Sequence, residues 1–247
     1  MSLSAAQIAT FRKHGHLTVP GVFEAAEMRR AIADLEQWGA EFLGHLPPEQ
    51  RVWYVDAGVT AREVLRKLDN PVAHRPMFRA LAADPRLIAM AHDLIGGGLT
   101  ACFSQVFFKP PEGGGPKPMH QDNYYFGPDD PDGLVTAWIA LDDATVENGC
   151  MWFGDGSHRG LILPHFAPPG EPFNLQIPDE IARLQAMSAA PVPCGGVSFH
   201  HGTTLHQSGP NRSQRWRRAC AIHYVNEKTV FATPALPYDH DLFVRID

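Results

Sequence analysis

The sequence predicts a mainly β protein with its helices gathered in the N-terminal third: an antiparallel sandwich or jelly roll preceded by a helical part. Three observations predict this. Apolar residues recur at helical spacing up to about residue 98. From about residue 99 the pattern changes to short apolar or alternating runs broken by Gly and Pro turns. The 247 residues, 44% hydrophobic and 19% charged, can fill one sizeable core, and no repeat or long linker divides them.

The elements follow in order. Ser4 and Gln7 form a capping-box pattern that opens a helix carrying Ile8 and Phe11, and Gly15 stops it. "HLTV" (16–19) reads as a short strand ending at Pro20-Gly21. Ala31, Leu35, Trp38 and Phe42 recur at four, three and four, one apolar helical stripe. Asp84-Pro85 opens another helix, with Leu87 and Leu94 on it and the glycines at 96–98 closing it. Eight short strands then follow: "LTACFSQVFF", "HQDNYYF", "LVTAWIAL", "CMWF", "GVSFH", "TTLHQ", "RRACAIHYV" and "LFVRI". A helical insert at about 178–187 interrupts them. The helices are expected to pack on one outer sheet face. Residues 1–247 read as a single domain, helical over about 1–98 with the jelly-roll core over about 99–247.

Charge and cysteine usage narrow the function. The 21 basic and 27 acidic residues leave a formal charge of −6, which gives no support for a nucleic-acid or membrane-surface partner. No run approaches the ~20 apolar residues of a membrane span. The first residues lack a hydrophobic signal core, so a cytoplasmic protein is expected. Cys102, Cys150, Cys194 and Cys220 are far apart with no C-x-x-C pair, and they read as reduced thiols.

The chemistry concentrates in two stretches. In "MHQDNYYF" (119–126), His120 and Asp122 sit two apart among apolar and aromatic residues. On a strand they would share a face. Burying both needs compensation, which a metal ion supplies. The second stretch, "SFHHGTTLHQSGPNRSQRWRR" (198–218), offers His200, His201 and His206 as a third ligand. His206, ahead of a Gly-Pro turn at the barrel rim, is favoured. Two histidines and a carboxylate make the facial triad of non-haem Fe(II) oxygenases, which leaves adjacent positions open for other ligands. Zinc hydrolases also use three protein ligands. After a hairpin expected at 209–213, strand parity places Arg217, Ala219 and Ala221 on one face. An inward guanidinium there suits the far carboxylate of a dicarboxylic co-substrate, and the alanines leave room for it.

Four segments together resemble the phytanoyl-CoA dioxygenase family of Fe(II)/2-oxoglutarate oxygenases: "FRKHGHLTVPGVF", "FFKPPEGGGPKPMHQDNYYF", "LVTAWIALDDATVENGCMWFGDGSHRG" and "LHQSGPNRSQRWRRA". They occur in the family's order and cover nearly the whole chain. The resemblance implies a double-stranded β-helix of cupin-like form. It implies His120, Asp122 and His206 as iron ligands, with 2-oxoglutarate as co-substrate and O2 as oxidant. Arg217 would bind the distal carboxylate of 2-oxoglutarate, assisted by Ser208, with Trp138 and Gln121 lining its pocket. Gln105 and Lys67 fall where some members contact the co-substrate. The implied reaction hydroxylates a C–H bond of a medium-sized organic molecule, releasing succinate and CO2. Asp122 stands where related halogenases have a small residue, which favours oxygen chemistry. Desaturation, ring closure or epimerisation are alternatives with the same cofactors; a metal-dependent hydrolase or a non-catalytic jelly-roll module are alternatives of another class. Trp53, Tyr54, Tyr124, Tyr125 and Phe126 are candidate substrate-pocket walls. The partner is a small molecule, and the protein a monomer or homodimer.

Overall fold

In the computed structural model, which describes every residue except 58–62, 112, 172, 173 and 247, two antiparallel sheets face each other behind a layer of helices. The helices are α1 (Ala5–His14), α2 (Ala25–His45), α3 (Arg51–Tyr54), α4 (Pro71–His74), α5 (Pro76–Ala82), α6 (Pro85–Ile95), α7 (Asp122–Phe126) and α8 (Asp179–Ala182). The strands are β1 (His16–Val19), β2 (Val55–Ala57), β3 (Glu63–Leu65), β4 (Lys67–Asp69), β5 (Leu99–Lys109), β6 (Lys117–His120) and β7 (Leu134–Ala140). They continue with β8 (Met151–Phe153), β9 (Ser188–Ala190), β10 (Val197–His201), β11 (His206–Ser208), β12 (Arg217–Asn226) and β13 (Val244–Arg245).

The large sheet runs β1-β10-β7-β12-β5-β13, with β4 also on β5; the small sheet runs β6-β11-β8-β9. This is the jelly roll, with its helices on the outer face of the large sheet. Met28, Leu35, Phe78, Leu87 and Met90 from the helices are fully buried against Ile139, Phe199, Ile222 and Tyr224 of that sheet. Each such side chain contributes roughly 1.5–3 kcal/mol by leaving water. The capping box at Ser4 and Gln7 forms in both directions, and Gly15 ends α1 at φ 79°. The Gly15 carbonyl then accepts from His201 N and Thr204 Oγ1, which docks α1 on the roll. Arg218 faces outward, paired with Asp142 at 2.8 Å and with Glu36 of α2 at 2.6 Å.

Four local expectations are corrected. Residues 122–126 form a helical turn, not part of a strand: Asn123 Nδ2 donates to Thr203 Oγ1 and Pro131 O, and Gly127 closes the turn at φ 54°. The insert near 178–187 is helical only over Asp179–Ala182 and leads into β9. Residues 209–216 do not make a hairpin; they cross from β11 in the small sheet to β12 in the large one. The crossing is pinned by Asn211, whose Nδ2 donates to Lys109 O, Pro110 O and Arg215 O. Finally, the helical third contains short strands, β2, β3 and β4, and Lys67 lies on β4.

Candidate metal centre and co-substrate pocket

His120 ends β6, Asp122 opens α7, and His206 opens β11, paired in register with His120. The three offer ligand atoms within 4.8 Å of one another, all buried. Asp122 Oδ1 lies 3.8 Å from His120 Nε2 and 3.5 Å from His206 Nε2. The convergence of His120 and Asp122 therefore comes from the chain turning into α7, not from strand parity.

The tautomers follow from the partners. His120 Nδ1 is 2.8 Å from Pro118 O, and His206 Nδ1 is 2.9 Å from Thr204 O. A carbonyl only accepts, so each Nδ1 carries the proton and each Nε2 keeps a lone pair facing Asp122. Burial holds both imidazoles neutral, His206 down to about 4 and His120 well below its ordinary value. Burial also pushes the Asp122 carboxyl up, but the neighbouring His206 and His223 and the hydrogen bond from His200 outweigh it, and it stays well below the usual carboxylate range. Two unprotonated imidazole nitrogens and one ionised carboxylate are a donor set that suits a divalent iron.

The site opens into a cavity of about 440 Å³ between the sheets. Arg217 reaches it from β12, 2% exposed and over the Trp138 ring at 5.4 Å. Among the described residues its Nε and Nη1 have no hydrogen-bond partner, and burial pushes the guanidinium down to about 9. A buried cation in that state calls for an anion. Ala221 and Ser208 line the same space.

Of the other expected residues, Trp53, Tyr54, Lys67, Gln105, Tyr125 and Phe126 also line the cavity. Lys67 Nζ and Gln105 Nε2 both donate to Asp69, at 2.9 and 2.7 Å. Gln121 does not line it: the side chain is fully buried behind the metal ligands, donating to Thr203 O at 2.8 Å and accepting from Leu163 N. Tyr124 also turns away and stacks on His165 at 4.1 Å. Residues 58 and 59, beside Tyr54, lie outside the described residues.

Three residues next to Asp122 went unnoticed or unassigned in the sequence. Thr136 Oγ1 donates to Asp122 Oδ2 at 2.6 Å, and His200 Nε2 donates to the same oxygen at 3.0 Å. His223 Nδ1 lies 2.8 Å from Thr136 Oγ1. The parity that groups Arg217, Ala219 and Ala221 reaches His223 if extended by one step. Thr136 is a lone hydroxyl in an apolar strand, two before Trp138 on the same face.

The chain matches the phytanoyl-CoA dioxygenase (PhyH) family over residues 11–219. It belongs to that family. It is therefore an Fe(II)- and 2-oxoglutarate-dependent oxygenase. It is 27% identical over 225 residues to a probable alpha-ketoglutarate-dependent hypophosphite dioxygenase of Stutzerimonas stutzeri, covering 90% of this chain and 78% of that protein. It is 32% identical over 180 residues to phytanoyl-CoA dioxygenase domain-containing protein 1 of Mus musculus, covering 67% of this chain and 61% of that protein. Among solved structures, the alpha-ketoglutarate-dependent carbocyclase SnoK from nogalamycin biosynthesis superposes with TM-score 0.75 at 23% identity, covering 99% of this chain and 97% of that one, a likeness of fold. The epimerase SnoN of the same biosynthesis gives TM-score 0.72 at 26% identity, covering 98% and 97%. This PhyH-family chain has no helix, among the described residues, long and apolar enough to cross a membrane.

Proposed function

We propose that this PhyH-family member hydroxylates an unactivated C–H bond of a medium-sized organic molecule, with residues 1–247 working as one oxygenase domain, as a monomer or homodimer. The observation that carries the reading is the pairing of the His120–Asp122–His206 cluster with a buried Arg217 whose Nε and Nη1 have no hydrogen-bond partner among the described residues, in one cavity. His120 Nε2, Asp122 Oδ1 and His206 Nε2 would hold the iron. Arg217 would take the distal carboxylate of 2-oxoglutarate, with Ser208 beside it and Trp138 packed against the guanidinium. Bound there, iron and 2-oxoglutarate would activate O2 for C–H hydroxylation, one oxygen atom passing to the substrate and the other to succinate as CO2 is released.

The protein's share is positioning and dryness. Thr136 and His200 fix the outer oxygen of Asp122, so that the inner one faces the histidines. Phe103, Phe126 and Tyr238 form an apolar wall that keeps water from the reacting carbon. The cavity volume falls within the ~300–1,000 Å³ of small-molecule sites. Free thiols at all four cysteines suit the cytoplasm, where we place the protein.

Anaerobic titration of the Fe(II)-loaded protein with 2-oxoglutarate tests the reading. A weak visible charge-transfer absorption is expected, absent in Arg217→Met at the same concentrations. No such band, with zinc bound instead, counts against the oxygenase reading. Once a substrate is found, the mass of its product separates outcomes: an added oxygen for hydroxylation, two lost hydrogens for desaturation or ring closure, no change for epimerisation.

A further inference from the structure

The proline-glycine loop before the metal site ends in a lysine that the reaction as described leaves unused. Lys117 pairs with Ser208 and His120 pairs with His206, so three steps along β6 match two along β11. That bulge reverses the strand's parity and turns Lys117 to the same face as His120, into the cavity. Bulges beside active sites serve to re-aim a side chain in this way.

The ammonium is held by neutral groups. Lys117 Nζ donates to Asn174 Oδ1 at 2.8 Å and to Tyr125 OH at 3.1 Å, and sits over the Tyr125 ring at 5.4 Å. Among the described residues no carboxylate forms an ion pair with it. An ammonium has three donors, and two are taken. Lys67 and Arg66 add positive potential at Lys117, and Asp122 and Glu171 add negative. Arg66 is tied to Trp53 O and Lys67 to Asp69. Phe103, Phe126, Tyr238 and Phe243 line the same cavity. The cavity therefore offers a cationic group together with an apolar lining. A single remaining N–H on a point charge fits a carboxylate better than a phosphate, which draws several donors or a forked guanidinium.

We propose that Lys117 binds the carboxylate of the substrate, an organic acid whose apolar body lies against Phe103, Phe126 and Tyr238. The inference rests on the oxygenase reading, since it names the substrate class of the same cavity.

The test uses the full chain with saturating 2-oxoglutarate throughout, so that Arg217 is occupied, first metal-free and then anaerobic with Fe(II). The probes are decanoate and phenylbutanoate, each against its uncharged amide, with binding measured by calorimetry. In wild type each acid binds roughly tenfold or more tighter than its amide, the worth of a charge-assisted hydrogen bond. Lys117→Met removes the discrimination, Lys117→Arg keeps most of it, and neither changes the 2-oxoglutarate affinity. Equal binding of acid and amide to wild type, no binding of either acid, or discrimination retained in Lys117→Met overturns the proposal. So does a Lys117→Met protein whose loss is in 2-oxoglutarate affinity, because the lysine then serves the co-substrate. Failure of the oxygenase reading shows separately, as absence of the charge-transfer band in wild type, since acid and amide are also compared without metal.

Discussion

Thr136 Oγ1 donates a 2.6 Å hydrogen bond to Asp122 Oδ2, and this bond splits the duties of the carboxylate. A hydroxyl has one proton. With it given to Asp122, Thr136 must accept from His223 Nδ1 at 2.8 Å, and His200 Nε2 adds a second donor to Oδ2 at 3.0 Å. The inner oxygen is left facing His120 and His206. Partners of this kind orient a ligand, and losing one costs about 10–100-fold in metal affinity. Thr136→Val keeps the shape and removes the hydroxyl. It should weaken anaerobic Fe(II) binding by about that factor, read by calorimetry, with little change in fold. Unchanged iron affinity would show that His200 alone orients Asp122.

His200 and His206 make a discriminating pair. Both are buried, with ring centroids 4.4 Å apart, and both approach Asp122. They approach different oxygens, His206 at Oδ1 and His200 at Oδ2. His206→Ala should abolish iron-dependent succinate formation from 2-oxoglutarate. His200→Ala should lower it and raise the iron requirement while leaving turnover measurable. The reverse ranking would make His200 the ligand.

Much of this was legible because one face of a strand is a simple code. Apolar or alternating runs marked the long strands β5, β7 and β12, and the inward run Arg217, Ala219, Ala221 is as parity requires. Parity failed where backbone geometry departs from a regular strand. Asp122 is on a helical turn held by the side chain of Asn123, and Lys117 is re-aimed by a bulge, and neither feature has a local sequence signal. His206 and Arg217 were expected on one hairpin and instead face each other from two sheets. That arrangement depends on Asn211 bonding carbonyls a hundred residues away, which only the folded chain brings together. The family resemblance implied Gln121 as a pocket residue, yet its amide serves the backbone of Thr203 and Leu163.

Arg217 should be a cost to the empty protein and a gain to the loaded one. Its guanidinium is desolvated, and among the described residues two of its nitrogens have no hydrogen-bond partner. Arg217→Leu should therefore leave the ligand-free protein at least as stable as wild type. Wild type should gain about 2.7 kcal/mol from 2-oxoglutarate at a hundred times its Kd, roughly 5–10 °C in Tm for a chain of this size. The variant should lose that gain while still binding iron. Thermal melts with and without 2-oxoglutarate read both effects; a variant still stabilised by 2-oxoglutarate would move the carboxylate to another cation.

Lys117 should leave a mark on stability against pH. Burial pushes its ammonium down to about 7, from 10.5 in the unfolded chain. Below about pH 7 the lysine is charged in both states, and the folded protein bears the full cost of desolvating it. Between about 7 and 10.5 the unfolded chain holds a proton that the folded chain has released, so this group makes stability rise with pH across that window. Other groups titrate in the same range, so the informative quantity is the difference from Lys117→Met, measured by urea unfolding from about pH 6 to about pH 9. The variant should be more stable than wild type at the acid end, and the gap should close as pH rises. A gap that stays constant with pH would mean that the ammonium is solvated, and the case for a carboxylate ligand at Lys117 would weaken with it.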